Sequence, residues 1–242
     1  MPYAQVTLAD LLVALADRYE SKPFWSSTEA TRALNEGLRI WNAATGFWMG
    51  KRYVTTVPND PYLPLDGTLT QTTRVLWNAI PLEKTSRYDL DYGIPNWRGA
   101  TTVTPGAPPR PSYWAPLGLS LICIYPADAV GLNTLEVAGV RTTPILVNPT
   151  DYVDLGQEEH DQLLAYAHHV LAFKIGGEVL VASYAGWLGF LKAAGARNQR
   201  FAASAFYRRA LGMDQQRRLR PTTAPVTTPV DQALQAGQAT LS

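Results

Sequence analysis

Residues 151–171, DYVDLGQEEHDQLLAYAHHVL, constrain this chain more than any other stretch. An acidic, glycine-containing turn runs straight into a helix start, and the apolar residues beyond it cover most of a helix surface. Leu163, Tyr166, Val170 and Phe173 line one side; Leu164, Ala167, Leu171 and Ile175 line the adjacent one. A helix apolar over so wide an arc is buried by several neighbours at once. The residues just before it cannot supply them. From 50 to 149, proline and glycine break the chain every few positions, and the runs between are β-branched or aromatic. The stretch is therefore the joint at which a β-rich region returns the chain to a helical core begun elsewhere.

That beginning lies near the N-terminus. Thr7 and Asp10 form a capping box with Asp in the usual Glu position, and Leu8, Leu11, Leu12, Leu15 and Tyr19 follow as one apolar stripe ending before Pro23. Ser26 and Glu29 open a second helix with Ala30, Ala33, Leu34, Gly37 and Trp41 on one face, and Gly46 is placed to stop it. Two short amphipathic helices cannot close a core alone. Their partners are the helix after Gly156 and a longer one after Gly176-Gly177, expected over 178–213. Small residues in that last helix, such as Ala182, Ala185, Gly186 and Gly189, permit close approach of other helices or of neighbouring subunits.

In the middle region the runs 53–57, 73–77, 119–125 and 134–140 suit the strands of a compact antiparallel sheet or sandwich. A helical turn or two fits within 81–92. Between 93 and 116 several prolines accompany Trp97, Tyr113 and Trp114, and a flexible linker would not carry so many aromatics. Trp and Tyr are enriched at protein contacts, so Trp97, Tyr113 and Trp114 are expected on an ordered, partner-facing loop. From Arg217 the chain is Pro/Thr-rich with few large apolar residues and should not fold by itself. The expected class is α+β. A helical bundle core comes from 1–49 with 151–214 (two N-terminal and two C-terminal helices, the last one long), with a β-rich domain inserted over 50–150 and an extended tail over 215–242.

A formal net charge of +1 gives no global field toward nucleic acid or an anionic membrane. The balance hides an acidic segment, including Asp154, Glu158 and Glu159, beside a basic one, including Arg197, Arg200 and Arg208. Complementary patches on one chain suit a head-to-tail ring, which makes these six residues candidates for contact between subunits. His160 and His168 stand about 12 Å apart along a helix, too far to share a metal. No CxxC, HExxH, GxSxG or Walker-type loop is present. Neither a catalytic residue nor a metal or cofactor site is expected. Cys123 in LICIY reads as a core thiol. MPYAQVTLAD lacks a signal-peptide pattern, and no apolar run is read as approaching the roughly 20 residues that span a bilayer, so no membrane partner is expected.

The order of motifs from 121 onward resembles a known family. A strand ending in Tyr-Pro (LICIYP, 121–126) is followed by TLEVAGV (134–140), a Pro-containing connection (TTPILVNPTDYVDL) and the acidic helix start EEHDQLLAYA (158–167). With the N-terminal helix pair, the Pro-rich aromatic middle and a long helix before a polar tail, this is similar to the head-to-tail adaptor, or connector, proteins of tailed bacteriophages. Where a proline is expected to open the helix, this chain has Gly156-Gln157. The resemblance implies a non-enzymatic virion neck protein, made in the host cytoplasm. It implies a dodecameric ring under the portal protein that extends the DNA channel and carries a tail or stopper protein. Double-stranded DNA would pass without sequence-specific contact. It also implies that the tail docks on the portal, here through Arg217, Arg218, Arg220 and Pro221. Within the same class a stopper or tubular tail protein is the alternative. From another class, a carbohydrate-binding module or glycosidase would need Glu83, Asp89 or Asp91 near a cleft with Trp97 or Trp114.

Overall fold

The computed structural model describes residues 5–19 and 25–213. Helix α1 (Leu8–Asp17) starts at the Thr7/Asp10 capping box, and α2 (Ser27–Thr45) starts at the Ser26/Glu29 box and ends on Gly46 at φ +67°. Strands β1 (Met49–Thr55), β2 (Tyr62–Pro64), β3 (Leu69–Trp77), β4 (Ile80–Pro81) and β5 (Glu83–Lys84) follow, then a short helix α3 (Arg87–Gly93). After β6 (Tyr113–Pro116), β7 (Leu121–Tyr125) and β8 (Thr134–Arg141) the chain turns helical. It forms α4 (Gln157–Ile175), α5 (Gly177–Arg197), α6 (Gln199–Ala202) and α7 (Ala205–Ala210). The class is α+β.

The strands form two four-stranded sheets, β1-β8-β3-β4 and β2-β7-β6-β5, antiparallel throughout except for the parallel pair β5/β6. Leu135, Val137, Val75 and Trp77 of the first sheet meet Leu63, Trp114, Ile122 and Ile124 of the second, so the sheets are the two layers of a sandwich. The second sheet is covered on its other face too. There Ala115, Cys123 and Tyr125 pack beneath Leu90 of α3 and Trp97 and Ala100 of the loop after it. Apolar side chains on both faces explain why LICIY is a continuous apolar run rather than an alternating one.

A separate core joins the helices. Leu8, Leu11 and Leu15 of α1, Leu34, Leu38 and Trp41 of α2, Leu163 and Ala167 of α4, and Phe190 and Leu191 of α5 share one cluster, closed by Trp25, Trp48, Leu146, Val153 and Leu155. The joint is stitched to α1. Leu8 N–H donates to the Asp151 carbonyl (2.7 Å), Ala9 N–H to Pro149 and Val153 N–H to Val6.

Two expectations are corrected. The last helix does not run to 213 but stops at Arg197. Asn198, extended at φ −133°, accepts hydrogen bonds from Arg200 and Phe201 N–H and so begins a new turn. Its side-chain amide donates to the Ala44 carbonyl at the end of α2 (2.7 Å). The break folds α7 back on α5 at Gly195, where an added Cβ would run into the Tyr207 ring. Second, α5 has the length and mean hydropathy (1.3) of a membrane span, against the expectation that no run approached this. Its apolar residues divide between two faces. Phe190, Leu191 and Ala194 enter the helical core, while Val181 and Tyr184 remain exposed.

Candidate functional site

The charge pattern that suggested contact between copies is partly consumed inside one chain. α4 and α5 form a helical hairpin about Gly176-Gly177, so the start of α4 lies beside the end of α5. Glu159, buried, forms an ion pair with Arg197 across that end. Both charges also sit at helix termini of favourable sign, the carboxylate in a first turn and the guanidinium in a last one. Gly156 makes room for this arrangement, because a Cβ there would collide with the Glu159 carboxylate. Glu159 and Arg197, two of the subunit-contact candidates, thus pair with each other within one chain. The signal was in the sequence: the two residues stand at similar separations from the glycine pair. Of the other candidates, Asp154 and Arg200 are exposed and Arg208 is half-buried on α7. Glu158 lies in the first turn of α4.

The aromatic loop is corrected as well. Trp97 is 3% exposed and Trp114 1%, so neither faces a partner. Trp114 lies between the two sheets with Lys84 Nζ 5.4 Å from its ring. Trp97 roofs the second sheet, its Nε1–H donating to Asp91 (2.8 Å). Tyr113 is half-buried, its ring tilted against Tyr125. The loop is ordered because the second sheet needs an apolar cover, and the aromatics are that cover.

Burial of both tryptophans also removes the stacking platform of a carbohydrate site. Asp89 closes the capping box of α3 with Ser86. Asp91 is shared by Trp97, Arg87 and Arg98, and the Trp97 hydrogen bond with the two guanidiniums holds its carboxyl below the usual range. Glu83 stands exposed on β5. Among the described residues no cluster of three or more His, Cys, Asp or Glu side chains is placed to hold a metal ion.

The histidines serve packing. Tyr19 O–H donates to the His168 carbonyl (2.8 Å) and its ring meets the imidazole edge-on. His169 Nδ1 lies 2.8 Å from Ser183 Oγ, whose own hydrogen goes to the Leu180 carbonyl, so Nδ1 carries the proton. Burial pushes all three imidazoles below their ordinary pKa and keeps them neutral near pH 7.

Three features escaped the sequence. Asn42, buried inside α2, donates to the Arg141 carbonyl and Thr143 Oγ1 and accepts from Trp48 N–H. Two turns earlier Asn35 grips Leu146 through both its N–H and carbonyl. These amides hold the two segments that cross between helices and sheets, and a helix-interior Asn gives no sequence sign of such a role. The third is an apolar groove of about 620 Å³ on the outer side of the hairpin, lined by Tyr166, His169, Phe173, Val181, Tyr184 and Trp187 among others.

Comparison with known proteins gives the family. The family model described as SU10 adaptor protein matches residues 6–229, nearly the whole chain. The chain belongs to the SU10 adaptor protein family. No curated protein matches it. The family is one of phage head-tail adaptors, which are structural proteins and not enzymes, so this chain is a phage structural adaptor. Membership implies interaction with portal and tail proteins at the virion neck. The matched span runs past α7 and includes Arg217, Arg218, Arg220 and Pro221, which lie outside the described residues.

Proposed function

We propose that this SU10 adaptor assembles as a dodecameric ring beneath the portal, extends the DNA channel and joins capsid to tail. The family match over residues 6–229 carries this reading. In it, 1–49 with 151–214 form the helical core that packs around the ring, 50–150 form an inserted β domain, and 215–242 form the segment that docks on the portal through Arg217, Arg218, Arg220 and Pro221. Exposed Asp154 and Arg200 lie open to contacts between copies, and Arg208 on α7 is a further candidate for that surface. The near-neutral charge supports a channel along which double-stranded DNA slides, because a wall that neutralised many phosphates would bind rather than pass it.

The tail assignment is tested by co-sedimentation with portal rings of the same phage, comparing the full chain with one ending at Gln216. The truncated protein should keep its far-ultraviolet circular dichroism and lose portal binding. Undiminished co-sedimentation would refute docking through the tail.

A further inference from the structure

Of the four strands that end a sheet, β1 alone is long. β2, β4 and β5 have three, two and two residues, and β2 and β4 carry Pro64 and Pro81; β1 runs seven residues without a proline. An open edge of that length is ordinarily shortened, bulged or charged to keep other strands away. The ladder to β8 fixes which backbone groups face outward. At its two ends Arg141 N–H donates to the Trp48 carbonyl (2.7 Å) and Thr56 N–H to the Asn133 carbonyl (2.9 Å), so the even-numbered residues bond to β8. Met49, Lys51, Tyr53 and Thr55 therefore turn their N–H and carbonyl groups to the open edge, where no backbone partner stands among the described residues. Neither charge on the strand is left free to blunt that edge: Lys51 pairs with Glu136 of β8 (2.8 Å) and Arg52 with Asp66 (3.0 Å). A cleft of about 480 Å³ is lined by all of 51–55 together with Pro64, Leu65 and Asp66.

The same chain contains a segment suited to pairing along one edge only. In PTTAPVTTPV (221–230) the prolines stand at 221, 225 and 229, and that even spacing puts all three on one edge of an extended chain. Thr222, Ala224, Val226, Thr228 and Val230 then present their N–H and carbonyl groups on the other edge, with every donor intact. Proline is confined to strands in this way, on the edge away from the ladder, and Thr and Val favour extended backbone. Such a segment completes an edge that another strand provides. It is also within reach. Met49 lines one cleft with Arg200 and Phe201 of α6, so the last described helices lie close to where β1 begins. Between Met213 and Thr222 stand eight residues, 214–221, which extend to about 30 Å, against roughly 20 Å for the seven residues of β1. So short a tether favours the edge of the same chain over that of another copy. We propose that 222–230 adds to β1 as a further strand of the same chain, covering the one long edge with a strand whose own outer edge is blunted by proline. Arg217, Arg218, Arg220 and Pro221 stay outside that strand, so the inference is independent of their docking on the portal.

The test is residue-resolved amide hydrogen exchange by NMR on dilute protein without portal, comparing the full chain with one ending at Arg220. In the full chain the Lys51, Tyr53 and Thr55 amides should exchange at least about tenfold more slowly. Arg52 and Val54, already bonded to β8, should exchange alike in both chains and so report an intact sheet. Val226→Pro removes a donor from the pairing edge and should abolish the added protection. Thr227→Pro places its proline on the outer edge with the other three and should keep it. Outward amides that exchange equally in both chains, or two proline variants that behave alike, would overturn the inference. Protection of a labelled chain ending at Arg220 by added unlabelled full chain would overturn it as well, by assigning the strand to another copy.

Discussion

Asn42 ties three chain segments together at one buried point: the end of α2, the entry to β1 and the exit from β8. Asn42→Ala strands the Trp48 N–H and the Arg141 carbonyl, and each unsatisfied buried group costs about 1–3 kcal/mol. A loss of about 2–4 kcal/mol in urea unfolding is expected, with a substitution at exposed Asn148 as the reference. A change as small as that reference would contradict the latch. Capping residues behave differently: Thr7, Ser26 and Ser86 were legible because their partner sits a fixed three residues away. Asn42 and Asn35 were not, because all their partners but Trp48 lie about a hundred residues away and no local spacing encodes them.

Titration belongs to this scale too. His160, His168 and His169 are pushed below their ordinary value of 6.5 by burial. Glu29 is held down to about 2, first by its hydrogen bond with Lys174 and then by the Ser26 N–H. Asp10, Asp89 and Asp151 shift the same way through the hydrogen bonds they accept. A group whose folded pKa is depressed stabilises the fold above its unfolded value, and that contribution is lost as pH falls through the folded value. The urea midpoint should therefore fall in two stages, first below pH 6.5 with the histidines and again below pH 4.5 with the carboxylates. A midpoint unchanged between pH 7.5 and 5.5 would contradict the buried neutral histidines.

At the scale of elements, the α4/α5 hairpin converts a sequence charge asymmetry into an internal clamp. Arg197→Ala leaves the buried Glu159 carboxylate without its counter-charge. Breaking a fully buried pair costs about 3–5 kcal/mol, and the half-exposed guanidinium reduces this to about 1–3 kcal/mol. The loss should appear in dilute protein without portal and be relieved in the Glu159→Gln background; a stability change appearing only in assembled particles would return the pair to a subunit contact. The hairpin was readable from its glycine pair and apolar periodicity. Its end was not, since the apolar pattern continues through Phe201 while the Asn198 side chain stops the helix by capping the next turn. The strands were read in outline, but the aromatic loop was placed on the wrong side of the surface. Aromatic content signals burial against something, and sequence cannot say whether that is a partner or the molecule's own sheet.

At the scale of the whole molecule, the helices and the two-layered sheet keep separate cores, bridged by the Asn35 and Asn42 latches. Among the described residues, nothing covers the outer face of the hairpin or the exposed Ile145 and Val147 after β8. Surfaces of that kind are uncommon on a protein that works alone and ordinary on a subunit. The family match supplies what physics of a single chain cannot: the partners at the virion neck. The most direct measurement is an electron-microscopy image of this protein bound to the portal rings of its own phage. A closed twelvefold ring of adaptor density beneath the portal is expected. A bound protein without ring symmetry, or portals left bare at saturating concentration, would contradict the adaptor-ring assignment.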